Sequence, residues 1–280
     1  MKAKLKIPAK INLTLDVKKT DGEYHAVRSL VCSVDIFDTI ILKSRKDGLI
    51  TLKEKGIKSG CSITDNNAVK SAVKYMKETG SNGASITLKK GIPVGAGLGG
   101  SSADVAGTLI LMEKIYKKNA DILSLANSLG SDTGYMLSGG LKVLSGRGDI
   151  IDDVDANFDA YFLIITDKTS VSAKKCYQLF DEEKEVKGCT DLAIDFLKDG
   201  DTDNFYKVLK NDLYKPALNL LGVLKEKILD LKKSGAKTAL MTGSGSAVYG
   251  IFANEKQRDF AYKALVKKYG KSLIKAKLVK

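Results

Sequence analysis

The residues best able to do chemistry lie in one run, Pro93-Val94-Gly95-Ala96-Gly97-Leu98-Gly99-Gly100-Ser101-Ser102-Ala103. A strand-like segment precedes it and an apolar, helix-like segment follows. Residues without side chains let backbone N–H groups close around phosphate oxygens, and a helix start adds the positive end of its dipole. Ser101 and Ser102 can cap that helix and offer hydroxyls to a phosphate or a magnesium ion. Two familiar motifs fit only in part. Gly95, Gly97 and Gly100 satisfy G-x-G-x-x-G, yet Pro93 interrupts the strand-to-turn junction, and no second strand about 20 positions on ends in an acidic residue. The spacing also fits G-x-x-x-x-G-K-[ST], except that Ser101 replaces the lysine that neutralises the β- and γ-phosphates. A phosphate loop of this kind takes its positive charge from elsewhere, and Lys10 is the donor to look for. By itself the run reads equally as a glycine-rich turn with a serine cap.

Other residues could act beside it. Asp132 stands two positions past Gly130, which stops a short helix. Asp132-Thr133-Gly134 spells the D-T-G of aspartic proteases, but that chemistry needs two such carboxylates sharing a proton, and the chain has one copy. Tyr24 and His25 form an aromatic pair that could hold a flat base; the plainer reading is a core tyrosine beside a surface histidine. Lys10 and Asp132, taken singly, read as a solvated strand lysine and a turn residue.

These residues need elements to position them. The first half reads as strands at 2–7, 12–17, 30–34, 39–42 and 85–88, with helices behind Thr64-Asp65-Asn66-Asn67, across 102–116 and at 122–129. A strand at 141–145 and an acidic turn at 149–155 close it. The second half reads as a strand at 160–166, helical stretches at 174–181, 204–213 and 220–233, strands at 236–241 and 247–252, a helix capped by Asn254 and a last strand at 272–279. That order is a ferredoxin-like split βαβ with a helical insertion. A first domain over 1–153 and a second over 154–280 are expected.

Composition removes several classes. The 280 residues suffice for two cores, and no run is long and apolar enough to predict a membrane helix. The N-terminal stretch is basic without an apolar core, which predicts no signal peptide. The four cysteines are scattered and His25 is the one histidine, so a zinc site is not expected and free thiols in a reducing cytoplasm are. The net charge of +13 suits either nucleic acid or anionic nucleotide substrates. No aromatic stripe of the kind an RNA-binding sheet displays is visible, so a basic RNA-binding module is the weaker reading.

Three motifs together resemble the GHMP kinase family. The glycine-rich run matches its phosphate-binding motif; Pro8-Ala9-Lys10-Ile11-Asn12-Leu13 and Thr242-Gly243-Ser244-Gly245-Ser246-Ala247 match two others, in the right order. The resemblance implies an α+β fold: an N-terminal domain like domain 2 of ribosomal protein S5, packed on a ferredoxin-like C-terminal domain. It implies ATP and Mg2+ as cofactors, and transfer of a phosphoryl group to a substrate hydroxyl. Lys10 and Asp132 become the catalytic pair, with Asp132 as base and Lys10 keeping it ionised. Pro93 to Ala103 and Asn67 become ATP-binding, and Asn12, Tyr24, His25 and Tyr177 substrate-binding; the metal ligands stay open. Within the family the chain looks most like the cytidine-nucleotide kinases of non-mevalonate isoprenoid precursor synthesis, on Asp21-Gly22, Tyr24-His25, Asp35-Ile36-Phe37-Asp38, Val171-Ser172, Tyr177 and Asn211-Asp212-Leu213. Three features depart from that pattern: Glu23 between Gly22 and Tyr24, Thr133-Gly134 after Asp132, and Ala173 in place of a threonine. They leave open a GHMP kinase acting on a different alcohol or phosphate.

Overall fold

The computed structural model describes residues 1–22, 24–167, 169–184 and 187–279; Glu23 lies outside them. Two compact units share the chain. Unit 1 comprises Met1–Ala9, Ile36–Val94 and Gly99–Gly139, and unit 2 comprises Lys10–Asp35, Gly95–Leu98 and Gly140–Lys280.

Strands β1 (Lys2–Asn12) and β3 (Ala26–Ser44) each contribute residues to both units. β3 is a single 19-residue strand where two short ones are expected, and β1 runs through Pro8 to Asn12 instead of stopping at Ile7. For β3 the reason is that partners distant in sequence satisfy its acidic residues. Asp35, mid-strand, accepts the Lys277 N–H at 2.7 Å, and Asp38 is fully buried among donors described below. A charged residue in a strand reads as a break only while its partner is unknown.

In unit 1 the Ile36–Ser44 part of β3 pairs antiparallel with β5 (Ala84–Lys90), which pairs in parallel with β4 (Ile50–Gly56). Helix α1 (Asn67–Thr79) starts at the N-cap Asn66, whose side chain accepts from the Ala68 N–H, and stops at the left-handed Gly80. Helix α2 (Gly100–Tyr116) is nearly apolar all round and buried, as its sequence predicts. It comes close to the strands through Gly107, where a Cβ would sit 2.5 Å from Ile40 Cδ1. Two short helices, α3 (Ile122–Asn127) and α4 (Thr133–Ser138), follow.

In unit 2, β2 (Asp16–Lys18) and β6 (Leu141–Ser145) pair antiparallel with the Ala26–Asp35 part of β3, and β7 (Ile150–Asp153) pairs with β6 where an acidic turn is expected. The rest is β8 (Tyr161–Ile165), α5 (Ala173–Phe180), α6 (Thr190–Lys198), α7 (Thr202–Val208), α8 (Tyr214–Leu220), α9 (Val223–Lys233), β9 (Thr238–Met241), β10 (Val248–Phe252), α10 (Glu255–Tyr269) and β11 (Leu273–Val279). The four antiparallel strands lie in the order β11-β8-β10-β9, the fourth, first, third and second of this half, which is the split βαβ arrangement. Leu163, Ile165, Phe180, Leu224, Leu231, Met241 and Phe252 form its core. Helix α6, absent from the sequence reading, takes its cap from far upstream: Asp16 accepts the N–H groups of Cys189 and Thr190.

Candidate active site

Within unit 2 the three sequence motifs are stitched to one another by backbone hydrogen bonds. The Lys10 N–H donates to the Leu98 carbonyl at 3.0 Å, and the Ala247 N–H donates to the Ala96 carbonyl at 3.1 Å. Gly97 lies so close to the Thr242–Gly245 turn that a Cβ on it would sit 2.4 Å from the Thr242 oxygen. Its φ of +77° belongs to the left-handed region that glycine tolerates. Small residues on both segments are therefore required by approach as well as by turn geometry.

Lys10 and Asn12 project from the end of β1 and both are buried. The Lys10 ammonium donates to Asn12 Oδ1 at 2.5 Å, and Asn12 Nδ2 donates to Ser29 Oγ at 2.8 Å. The Asn12 backbone is clamped as well: its N–H donates to Thr242 Oγ1, and its carbonyl accepts the Tyr249 hydroxyl at 2.9 Å. Asn12 thus aims a buried ammonium. Asn211 braces the neighbouring turn by donating its amide to the Met241 and Gly243 carbonyls at 2.9 and 2.8 Å. Sequence reasoning quoted Thr242 and Asn211 within motifs but gave neither a task. For Thr242 the signal was a polar side chain beside glycines; Asn211 had none beyond its motif.

The aromatic residues form a second group in unit 2. The His25 ring lies 4.9 Å from the Tyr177 ring at 33°, with Phe180 edge-on at 5.9 Å. His25 Nε2 is 2.7 Å from Asp181 Oδ1. Tyr24 is exposed and carries the Arg147 guanidinium 3.9 Å from its ring centre. The chain thus brings His25 and Tyr177 together, while Tyr24 pairs with Arg147. Asp181 and Arg147 carried no sequence signal of their own.

Unit 1 holds the remaining candidates. Pro93 and Val94 precede the glycines, and Gly99 to Ala103 follow them. Gly99, left-handed, is the N-cap of α2 with no side-chain cap bond; Ser101 and Ser102 lie inside the first turn and do not cap it, contrary to expectation. The capping position requires a positive φ, which serine resists. Asn67 donates its amide to Ser101 Oγ. Asp132, half-buried, directly precedes α4, and its carbonyl accepts from the Met136 N–H. Beneath the loop's ends, Lys90 lies buried between Asp38 and Asp104. The Asp104 carboxyl is raised to about 7, by burial first, against the pull of the Lys90 ammonium and with a further push from the Asp38 carboxylate. Among the described residues no three histidine, cysteine or acidic side chains gather as a metal site, and no helix is long and apolar enough to cross a membrane.

Comparison with known proteins agrees with this geometry. The model of the GHMP kinases N-terminal domain matches residues 67–143 and that of the GHMP kinases C-terminal domain residues 193–272. A 4-diphosphocytidyl-2-C-methyl-D-erythritol kinase of Caldanaerobacter subterraneus subsp. tengcongensis is 32% identical over 270 residues, covering 94% of this chain and 92% of that protein. The kinase of the same name from Thermodesulfovibrio yellowstonii is 33% identical over 273 residues, 91% of each. A crystal structure of 4-(cytidine 5'-diphospho)-2C-methyl-D-erythritol kinase superposes with a TM-score of 0.85 at 26% identity, over 99% of this chain and 100% of that one. A mevalonate kinase from L. major shares the fold at 13% identity, with a TM-score of 0.75 over 99% and 95% of the two chains. The α+β two-domain fold expected from the motifs is the one these proteins share. The chain belongs to the GHMP kinase family and is an ATP-dependent phosphotransferase.

Proposed function

We propose that the chain transfers the γ-phosphoryl group of ATP to a hydroxyl of 4-diphosphocytidyl-2-C-methyl-D-erythritol, in non-mevalonate isoprenoid precursor synthesis. The observation that carries this reading is likeness along nine tenths of the chain to kinases of that name. In the proposed mechanism the loop from Pro93 to Ala103 cradles the polyphosphate with backbone N–H groups, and Asn67 supports it through Ser101. Lys10, aimed by Asn12, neutralises charge on the transferring group. Asp132 accepts the proton of the attacking hydroxyl. Magnesium fits the oxygen donors present: a hydroxyl from Ser101 or Ser102, together with the nucleotide's phosphate oxygens, would hold it. Bound there, it would neutralise phosphate charge. The cytidine moiety is assigned to Tyr24, His25 and Tyr177, stacked rings with a polar edge. The four free cysteines support a reducing cytoplasm as the place of work.

The test is a steady-state assay of the purified protein with ATP, Mg2+ and this substrate, beside homoserine and mevalonate as competing alcohols. A preference for the cytidine substrate of at least about thirtyfold in kcat/KM is expected, since base stacking and edge hydrogen bonds each contribute about 1–3 kcal/mol. Turnover of another alcohol with none of the cytidine compound would overturn the assignment. A GHMP kinase for a different alcohol is the second reading. The Tyr24–Arg147 contact favours it, because the guanidinium 3.9 Å from the ring centre occupies a face of Tyr24 that a stacked base would use. Tyr24→Ala separates the two: a raised KM for the cytidine substrate, with the KM for ATP unchanged, supports the first.

A further inference from the structure

We propose that Lys90 and Asp38 are positioning residues for ATP, pinning both ends of the glycine-rich loop so that its amides are set before the nucleotide arrives. The inference rests on the phosphotransferase reading and adds two residues that act through the loop's own backbone.

Lys90 is the last residue of β5, and its ammonium has three protons to give. One goes to Asp38 Oδ2, one to Asp104 Oδ2 at 2.6 Å and one to the Gly100 carbonyl at 3.3 Å. Asp38, on β3, uses its other oxygen to accept the N–H groups of Gly91 and Ile92 at 2.7 and 2.9 Å. Gly91 and Ile92 lead into the loop; Gly100 and Asp104 belong to the first turns of α2 beyond it. One buried cation therefore joins the segment before the loop to the helix after it, and one carboxylate fixes the direction of two consecutive amides on the near side. The approach is close: a Cβ on Gly91 would sit 2.5 Å from the Phe37 oxygen.

Stability alone does not call for this arrangement. Two aspartyl carboxyl groups and one ammonium, all at most 6% exposed, are buried together, and Asp104 Oδ1 has no hydrogen-bond partner there. Apolar residues of the same volume would fill the space without the cost of desolvating charged and polar groups. Apolar residues could not specify the direction of two N–H groups and a helix-terminal carbonyl. Pinning those directions removes loop freedom that phosphate binding would otherwise have to remove, which is how preorganisation raises affinity.

The experiment uses the full chain and a non-hydrolysable ATP analogue with Mg2+, with affinity from calorimetry and steady-state kinetics beside it. Asp38→Ala should weaken analogue binding about tenfold and raise the KM for ATP to match, as expected for one ordering interaction lost. The KM for the alcohol and kcat should stay within about twofold. Asp38→Asn keeps an oxygen for both amides but turns an NH2 toward the Lys90 ammonium, so it should recover only part of the ATP affinity. A purely structural role predicts lower melting temperatures with unchanged KM for ATP in the folded protein, and that result would overturn the proposal. Hydrogen exchange on the wild-type chain needs no variant. The Gly91 and Ile92 amides should be protected before the analogue is added; free exchange there overturns the proposal even if Asp38→Ala fails to fold. A wild-type chain that binds no ATP analogue would instead bring down the phosphotransferase reading, and this proposal with it.

Discussion

The hydroxyl of Thr242 accepts the backbone N–H of Asn12 at 3.0 Å, joining two motifs 230 positions apart in sequence. Both residues are buried, so water cannot replace the bond. Thr242→Ala should therefore cost about 1–3 kcal/mol of stability, the penalty for a buried donor left unpaired. Thr242→Ser, which keeps the hydroxyl, should recover most of it. Urea unfolding of the three proteins checks this, and equal midpoints for Ala and Thr would mean that the bond contributes nothing.

Asp132→Asn should lower kcat by about 10²–10⁴-fold, the usual cost of a lost general base, and leave binding of an ATP analogue intact. The substitution preserves the shape of the side chain at the start of α4, so the fold should persist. Near-normal turnover would remove Asp132 from the mechanism.

Gly97→Ala places a Cβ 2.4 Å from the Thr242 oxygen, on a backbone at φ +77°. Strain of this kind costs about 1–3 kcal/mol, and relief requires the loop and the Thr242–Gly245 turn to separate. ATP affinity and melting temperature should fall together. An unchanged affinity would show that this close approach is immaterial to nucleotide binding.

Asp104 gives a pH signature. Burial raises its carboxyl to about 7 in the folded chain, above the value of about 3.9 for an unfolded aspartate. Between those values the folded state holds the extra proton, so stability falls as pH rises through the window and levels off above it. Asp104→Asn cannot ionise and should lose this slope. Its stability relative to wild type should climb from about pH 4 to pH 7 and then stay flat. Urea midpoints across that range read the difference, and a constant offset would show that Asp104 stays ionised in the folded chain throughout.

Much was determined by the sequence alone because it is written in short-range chemistry. The three motifs, the uniformly apolar α2, the stop at Gly80 and the cap at Asn254 are each legible within about ten residues. The reduction of Lys10 from one basic residue among 46 to a candidate also came from its motif. What only the tertiary structure decided involves partners far apart in the chain. The unbroken β3 depends on donors that reach Asp35 and Asp38 from Lys277, Lys90, Gly91 and Ile92. The start of α6 depends on Asp16, and the seating of Asn12 on Thr242 and Tyr249. Lys90 shows the reason most plainly. In sequence it is a lysine at a strand end, a type almost always solvated, and burying it is tolerable only because two carboxylates and a carbonyl converge on its three protons. That convergence is a property of the folded backbone, and no local pattern encodes it.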